Sequence, residues 1–327
     1  MITKLTVYET SGTDPDANLA LEEYLLLRTE PGECILYLWQ NAHTVVIGKN
    51  QNCWKECNVS ILESEGGHLA RRLSGGGAVY HDLGNLNFTF LVRKEDYDLT
   101  RQLLVLAEAV RSFGLPAEVS GRNDLLCGGR KFSGNAFYES GAFCYHHGTL
   151  LVDVDTERME RYLTVSREKL QAKGVDSVRA RVTNLKELCP SLDVPSMKLA
   201  MREAFARVYG VQAQEGVLPG KNDAELAALQ AKYDSWEWKY GRKLPFTDAF
   251  SRRFPWGGVE LRLFVSGGIV QEAALYSDAL DIRIGGAAEA LKGCRYEGAA
   301  AAEAVRACGG LSEQVREDLA ELIRERL

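Results

Sequence analysis

Polar and apolar residues alternate with a period of two at Leu86, Phe88 and Phe90, and again at Val259, Leu261, Leu263 and Val265. That spacing predicts strands that bury one face. Helical spacing replaces it at Leu99, Leu103, Leu106, Val110 and Phe113, a stripe closed by Gly114 and Pro116. The same period predicts helices over Ser196–Tyr209 and, after Gly309-Gly310, through Val315, Leu319 and Leu322. Residues 1 to 10 read as a strand. Asp14-Pro15 then opens a helix, with an aspartate cap and proline in the first turn, that buries Leu19, Leu21, Tyr24 and Leu25. CILYLW and TVVIG follow as strands, the second ending at Gly48, and KNQNCWKECN turns into a helix toward Leu62. Gly128-Gly129 and Ser140-Gly141 are two-residue turn signals that predict an antiparallel meander. A polar, Ala-rich stretch running through YDSWEWKYGRKLPF reads as a domain border. VELRLFVSGGIVQEAALYSD beyond it reads as a hairpin.

The stretch HLARRLSGGGAVYHDLGNLNFTFLV, residues 68 to 92, departs from these simple patterns. Its flanks read as paired strands joined by a Gly-rich loop. Each glycine costs roughly 0.5 to 1 kcal/mol relative to alanine in regular structure. Gly75, Gly76 and Gly77 therefore imply backbone that bends unusually or lies against something, and Arg71-Arg72 upstream points to an anion. A hairpin with a loose tip is the plainer alternative. Neither the Walker pattern nor the dinucleotide fingerprint fits, because both open a helix and here a strand follows. If Arg71 and Arg72 both lie on the strand, they face opposite ways, and Arg72 is the one favoured for the site. Lys131, after the first meander turn and before Ser133-Gly134-Asn135, is either a solvated turn residue or a compact cation facing a ligand. His146-His147 cannot readily chelate one ion, since strand neighbours point to opposite faces.

Composition narrows the classes. The chain has 327 residues, 46% hydrophobic and 26% charged, with a net charge of −6. That length predicts two domains. The charge divides evenly, −3 on either side of Leu244, so no part carries the basic excess that duplex binding needs. No apolar run is long enough for a membrane span, and the first residues do not read as a signal peptide. Eight scattered cysteines without a CxxC suggest a reduced, cytoplasmic protein; Cys53 and Cys57 lack the partners of a zinc site. Residues 166 to 186 carry excess basic charge around Gly174, either an exposed helix and loop or a mobile cover for phosphate.

Several segments, in one order, resemble the lipoate-protein ligase A family of bacteria: RRLSGGGAVYHDLGN, GRNDLLCGGRKFSGNAF, HHGTLL, KGVDSVRARVTNL and SWEWKYG. The resemblance runs from about Asn18 to Ser277. It implies an α+β fold, with a biotin-ligase and class II synthetase-like catalytic domain of mixed and antiparallel sheets over 1–243. A small C-terminal α+β accessory domain would cover 244–327. It further implies activation of lipoate by ATP and Mg²⁺ to lipoyl-AMP, then transfer to a lysine of a lipoyl domain. The acceptors would be E2 components of 2-oxoacid dehydrogenases or the glycine-cleavage H protein, and the enzyme a monomer. Carried over, the ATP and adenylate contacts are Arg72, Gly75, Gly76, Gly77, Ala78, Val79, Tyr80, Asn123, Asp124 and Lys131. Lipoate would meet Arg72, Ser74, Lys131, His147 and Gly148, with apolar strand residues lining a slot for its chain. Lys131 would be catalytic and Asp124 would help hold the metal. Two other readings stay open: a transferase working through a Cys144 thioester with His146 as base, and a non-catalytic lipoate- or adenylate-binding protein.

Overall fold

The computed structural model describes residues 1–120, 124–164, 182–220, 222–240 and 247–327. They form two compact units: Met1–Val46 with Trp54–Arg71 and Val79–Lys239, and Ile47–Cys53 with Arg72–Ala78 and Tyr240–Leu327.

The first unit is built on an eight-stranded sheet. Its strands are β1 (Lys4–Glu9), β2 (Glu33–Trp39), β6 (Asn85–Arg93), β7 (Ala117–Ser120), β8 (Asp124–Cys127), β9 (Arg130–Ser140), β10 (Phe143–Leu151) and β11 (Ala213–Glu215). They lie in the order β11-β1-β2-β6-β10-β9-β8-β7. The β11-β1-β2 end is parallel; every other pairing is antiparallel. One face carries Leu36, Leu38, Phe88 and Phe90. They pack with Leu106 and Val110 of α2 (Leu99–Arg111) and with Met201 and Phe205 of α3 (Val194–Tyr209). The other face meets α1 (Pro15–Leu26), which starts where Asp14 accepts the amide of Ala17 at 2.8 Å. The four apolar residues expected to be buried on α1, Leu19, Leu21, Tyr24 and Leu25, are all buried. Outside it, α4 (Ala224–Asp234) is tied to α1 by Lys232 on Glu23 and by the Tyr24 hydroxyl, which donates to Asp223 at 2.7 Å.

A smaller sheet corrects one expectation. β4 (His68–Arg71) and β5 (Val79–His81), the strands before and after the glycine-rich loop, do not pair with each other. Both pair with β3 (Thr44–Ile47), in the order β4-β3-β5. Leu86, Phe88 and Phe90 belong to β6 in the large sheet. The loop is thus a crossover spanning a central strand, which a two-strand reading misses because strand partners are chosen non-locally.

The second unit holds β12 (Asp248–Phe254), β13 (Gly257–Ser266) and β14 (Ile269–Ser277) in sequential antiparallel order. The β13–β14 hairpin is the one read from the alternation, and its Gly267-Gly268 turn takes positive φ at 59° and 73°. β12 is an addition to that reading. Leu261, Leu263 and Leu275 form a core with Leu291 of α5 (Gly286–Leu291), Val305 of α6 (Gly298–Arg306), and Val315, Leu319 and Leu322 of α7 (Glu313–Arg326). Among the described residues no helix is long and apolar enough to cross a membrane.

Candidate active site

In the first unit, Gly128 and Gly129 take φ of 58° and 77° and return the chain from β8 to β9. The register then shifts at Leu125/Leu126, the mark of an extra residue that re-aims side chains. Lys131 emerges beside that irregularity. Its Nζ lies 2.7 Å from Asp124 Oδ1, and both side chains keep about a fifth of their surface, 18% and 19%. The backbone of Lys131 bridges Val182, and its carbonyl accepts the amide of Thr183 at 2.9 Å. A Cβ built on Gly134 would lie 2.9 Å from Lys131 Nζ, so the room left by this small residue is occupied by the ammonium group itself.

The strand register continues from Gly134 in a row across the sheet. Gly134 pairs with Thr149, Thr149 with Asn87, and Asn87 with Trp39. The neighbouring row runs Ala136, His147, Thr89, Tyr37. His147 Nδ1 lies 2.8 Å from Glu22 Oε1, which also accepts the Thr89 hydroxyl at 2.6 Å. Thr89 in turn accepts the indole N–H of Trp39 at 3.2 Å, and the ring of Trp39 stacks on Tyr37. Glu22, Thr89 and Asn87 are fully or almost fully buried functional candidates that the sequence reading did not single out. The signal was available in Asn85, Asn87 and Thr89, the polar positions interleaved with Leu86, Phe88 and Phe90. They look like a solvent face, yet β6 is buried from Asn85 to Val92.

The histidines diverge as strand geometry requires. His146 faces the apolar side, its Nε2 2.8 Å from Asn135 Oδ1 and its Nδ1 3.2 Å from Gln102 Oε1. Burial pushes its pKa down to about 3, with neighbouring His147 adding to the effect. Gly148 also turns that way: a Cβ there would sit 2.4 Å from the Gly134 carbonyl oxygen and 2.8 Å from the ring of Phe88. Cys144 is in the same core, where burial and then Glu139 raise its thiol to about 11. It is poorly suited to form a thiolate, and the neutral, doubly engaged His146 is poorly suited to serve it as base.

In the second unit the glycine-rich loop is shaped by Arg72. The Arg72 amide donates to the Ile47 carbonyl at 3.0 Å. Its guanidinium donates to Ser74 Oγ at 3.0 Å and to the carbonyls of Gly75 and Gly77 at 2.7 and 2.8 Å. Gly75 and Gly76 each have a physical reason. A Cβ on Gly75 would lie 2.3 Å from the carbonyl oxygen of Ala279, while Gly76 takes φ of 89° and donates its amide to that same carbonyl at 2.8 Å. The loop is a fixed crossover rather than a loose tip. Ala78 closes it; Val79 and Tyr80 begin β5 in the first unit, paired with Val46 and Val45. Burial raises the Tyr80 phenol to about 12, and its ring lies edge-on to His43. Arg71 serves the first unit instead: it donates to the carbonyls of Trp238 and Lys239 and accepts the indole N–H of Trp238 at 2.8 Å. Asn123 and most of the basic stretch, 165–181, lie outside the described residues, as do 241–246 at the expected domain border.

One carboxylate, Asp124, is the candidate for magnesium. Among the described residues no group of three or more His, Cys, Asp or Glu could hold a metal. That donor set fits an ion bound through one or two carboxylates, with phosphate oxygens and water completing its shell.

The lipoyl protein ligase A/B catalytic domain family matches residues 14–206, and the bacterial lipoate protein ligase C-terminus family matches residues 243–323. A lipoate-protein ligase A of Bdellovibrio bacteriovorus is 39% identical over 327 residues, covering 98% of this chain and 96% of its own. Among solved structures, P. falciparum LipL1 in complex with lipoate superposes with a TM-score of 0.86 at 26% identity, covering 99% of both chains. A lipoate-protein ligase A bound with ATP gives a TM-score of 0.63 at 27% identity, covering 74% of this chain and 99% of the other. The chain belongs to the lipoyl protein ligase A/B family.

Proposed function

We propose that this enzyme is an ATP-dependent lipoate-protein ligase: it activates lipoate to lipoyl-AMP, releases pyrophosphate, and transfers the lipoyl group to a specific lysine of a lipoyl-domain protein. The observation that carries this reading is the near-full-length match to a lipoate-protein ligase A. The likeness to a relative solved with lipoate and to another solved with ATP supports both substrates. An archaeal relative described as a bipartite lipoate protein ligase with its E2 lipoyl domain, at 27% identity, supports the acceptor class. E2 components of 2-oxoacid dehydrogenases and the glycine-cleavage H protein are the proposed acceptors.

Lys131 is assigned the central role. A carboxylate and a triphosphate repel one another, and an ammonium group fixed beside Gly134 offsets that repulsion and stabilises charge developing at the α-phosphorus. Its ion pair with Asp124 holds it ready. Magnesium would neutralise phosphate charge, with Asp124 as the protein ligand. Arg72 is proposed to act through the loop it shapes, whose Gly75, Gly76, Gly77 and Ala78 backbone, with Val79 and Tyr80 after it, would contact the nucleotide. Ser74 Oγ, which already accepts from Arg72, is proposed to reach lipoate. The acyl chain is assigned to the row from Gly134 past Thr149, with His147 and the Gly148 backbone beside it. A catalytic lipoate- and ATP-binding domain over 1–243, a small accessory domain over 244–327, a monomeric state and a cytoplasmic location complete the proposal.

The experiment is ATP–pyrophosphate exchange with and without lipoate, followed by mass spectrometry of a lipoyl domain after incubation with enzyme, ATP, Mg²⁺ and lipoate. Exchange that depends on lipoate, with an acceptor gaining one lipoyl group, is the expected result. Lipoylation that proceeds without ATP would overturn it.

A further inference from the structure

Asn87 lies at the middle of β6 and is 0% exposed. Neither its amide nitrogen nor its amide oxygen has a hydrogen-bond partner among the described residues. A buried amide left unpaired is costly, and native structures keep few of them. Its neighbours give no relief. Thr89, two residues on and on the same face, is satisfied by Glu22 and Trp39. Asn85, two residues before, has an unpaired amide nitrogen of its own, and Glu22 keeps one carboxylate oxygen unpaired.

The register says what this face offers. Asn87 stands between Trp39 and Thr149, in the row that begins at Gly134, where Lys131 Nζ rests. Gly134 and Asn87 are two strands apart, roughly 9.5 Å at the usual strand spacing. An acid whose carboxylate meets Lys131 and whose chain follows this row brings its distal end to Asn87. Resting on the lipoate reading above, we infer that Asn87 is a specificity residue that reads the chemistry of that distal end. It favours an acid ending in a cyclic disulfide over a plain alkanoic acid of the same length. The disulfide sulfurs are weak hydrogen-bond acceptors for the amide N–H, and the amide is then not left facing hydrocarbon. An alkyl tail supplies no partner and leaves the buried amide unpaired.

The test measures ATP–pyrophosphate exchange stimulated by lipoate or by octanoate, for the wild type and Asn87→Leu, as the ratio of kcat/KM for the two acids. The wild type should prefer lipoate. Asn87→Leu should lower that ratio on the order of tenfold, through opposite changes in the two KM values rather than a common loss of kcat. Both acids are assayed on one preparation, so partial misfolding changes both rates alike. Asn87→Ser and Asn87→Ala serve if the leucine variant does not fold: serine should keep more of the lipoate preference than alanine. A ratio that stays at the wild-type value in the leucine variant, or is the same in the serine and alanine variants, overturns the role of Asn87 while leaving the ligase reading intact. Failure of both acids to stimulate exchange in the wild type overturns both.

Discussion

At the scale of single residues, the site rests on small side chains that leave space and on one cation that fills it. Lys131 Nζ lies 2.9 Å from where a Cβ on Gly134 would stand and pairs with Asp124 at 2.7 Å. Lys131→Ala should reduce lipoate-dependent pyrophosphate exchange by about 10² to 10³, the usual effect of deleting one preorganised charged donor. Lys131→Arg should recover little, because a planar guanidinium is wider than an ammonium and Gly134 leaves no spare room. Steady-state exchange rates check this, and near-wild-type exchange by Lys131→Ala would remove the lysine from the chemistry. The glycine-rich loop gives a second residue-level expectation, about stability. Gly75→Ala places a methyl group against two backbone carbonyls, at 2.3 and 2.4 Å; overpacking of this kind costs about 1–3 kcal/mol. Gly76→Ala instead places a side chain at φ of 89°, a strain of roughly 1–2 kcal/mol. Thermal unfolding should therefore show both variants melting below the wild type, and an unchanged transition for both would mean that the loop is not held as described.

At the scale of elements, His146 joins β10 to β9 through Asn135 and to α2 through Gln102. The folded protein holds it neutral, its pKa lowered from 6.5 to about 3, so on acidification the unfolded chain takes up this proton first. The contribution of His146 is fully present above pH 6.5 and is lost as pH falls from there toward 3. At one pH unit below the unfolded value the cost is already about 1.4 kcal/mol. Chemical denaturation across pH 7 to 4 should show a steeper loss in the wild type than in His146→Gln, which has no proton to gain; parallel curves would contradict this. The elements also separate what the sequence discloses from what it hides. Local signals were sufficient where structure is local: the Asp14 cap, the Gly128-Gly129 turn and the α2 stripe are all where their residues put them. Pairing choices were not legible, since nothing in β4 or β5 says that β3 will come between them. β12 escaped notice because its apolar residues are diluted by Ser251, Arg252 and Arg253, and α4 because it buries fully only Tyr233. The candidate site was half legible. Lys131 was marked by its turn and small neighbours, whereas Glu22, Thr89 and Asn87 read as ordinary polar positions until the fold buried them.

At the scale of the whole molecule, the remaining question is which route carries the acyl group. An adenylate route needs no enzyme thiol, whereas a transferase route needs a reactive one. Among the described residues all eight cysteines are free, and Cys144, two residues before His146, is buried with its thiol raised to about 11. At neutral pH a thiol so shifted is almost wholly protonated, and the thiolate is the nucleophile. His146 cannot compensate, being engaged at both ring nitrogens by Asn135 and Gln102. Cys144→Ser should thus leave ATP-dependent lipoylation within about twofold of the wild type, since it changes a buried sulfur for a slightly smaller oxygen away from Lys131 and costs at most modest stability. The chain matches both the catalytic and the C-terminal family models, over 14–206 and 243–323. It should accordingly lipoylate a lipoyl domain alone, with only ATP, Mg²⁺ and lipoate supplied. Single-turnover assays with Cys144→Ser and Lys131→Ala, together with intact-mass measurement of the enzyme, distinguish the routes. An acyl-thioester on the wild type, an inactive Cys144→Ser and an active Lys131→Ala would establish the thiol route. Product that forms only after a second polypeptide is added would show that the chain is not sufficient by itself.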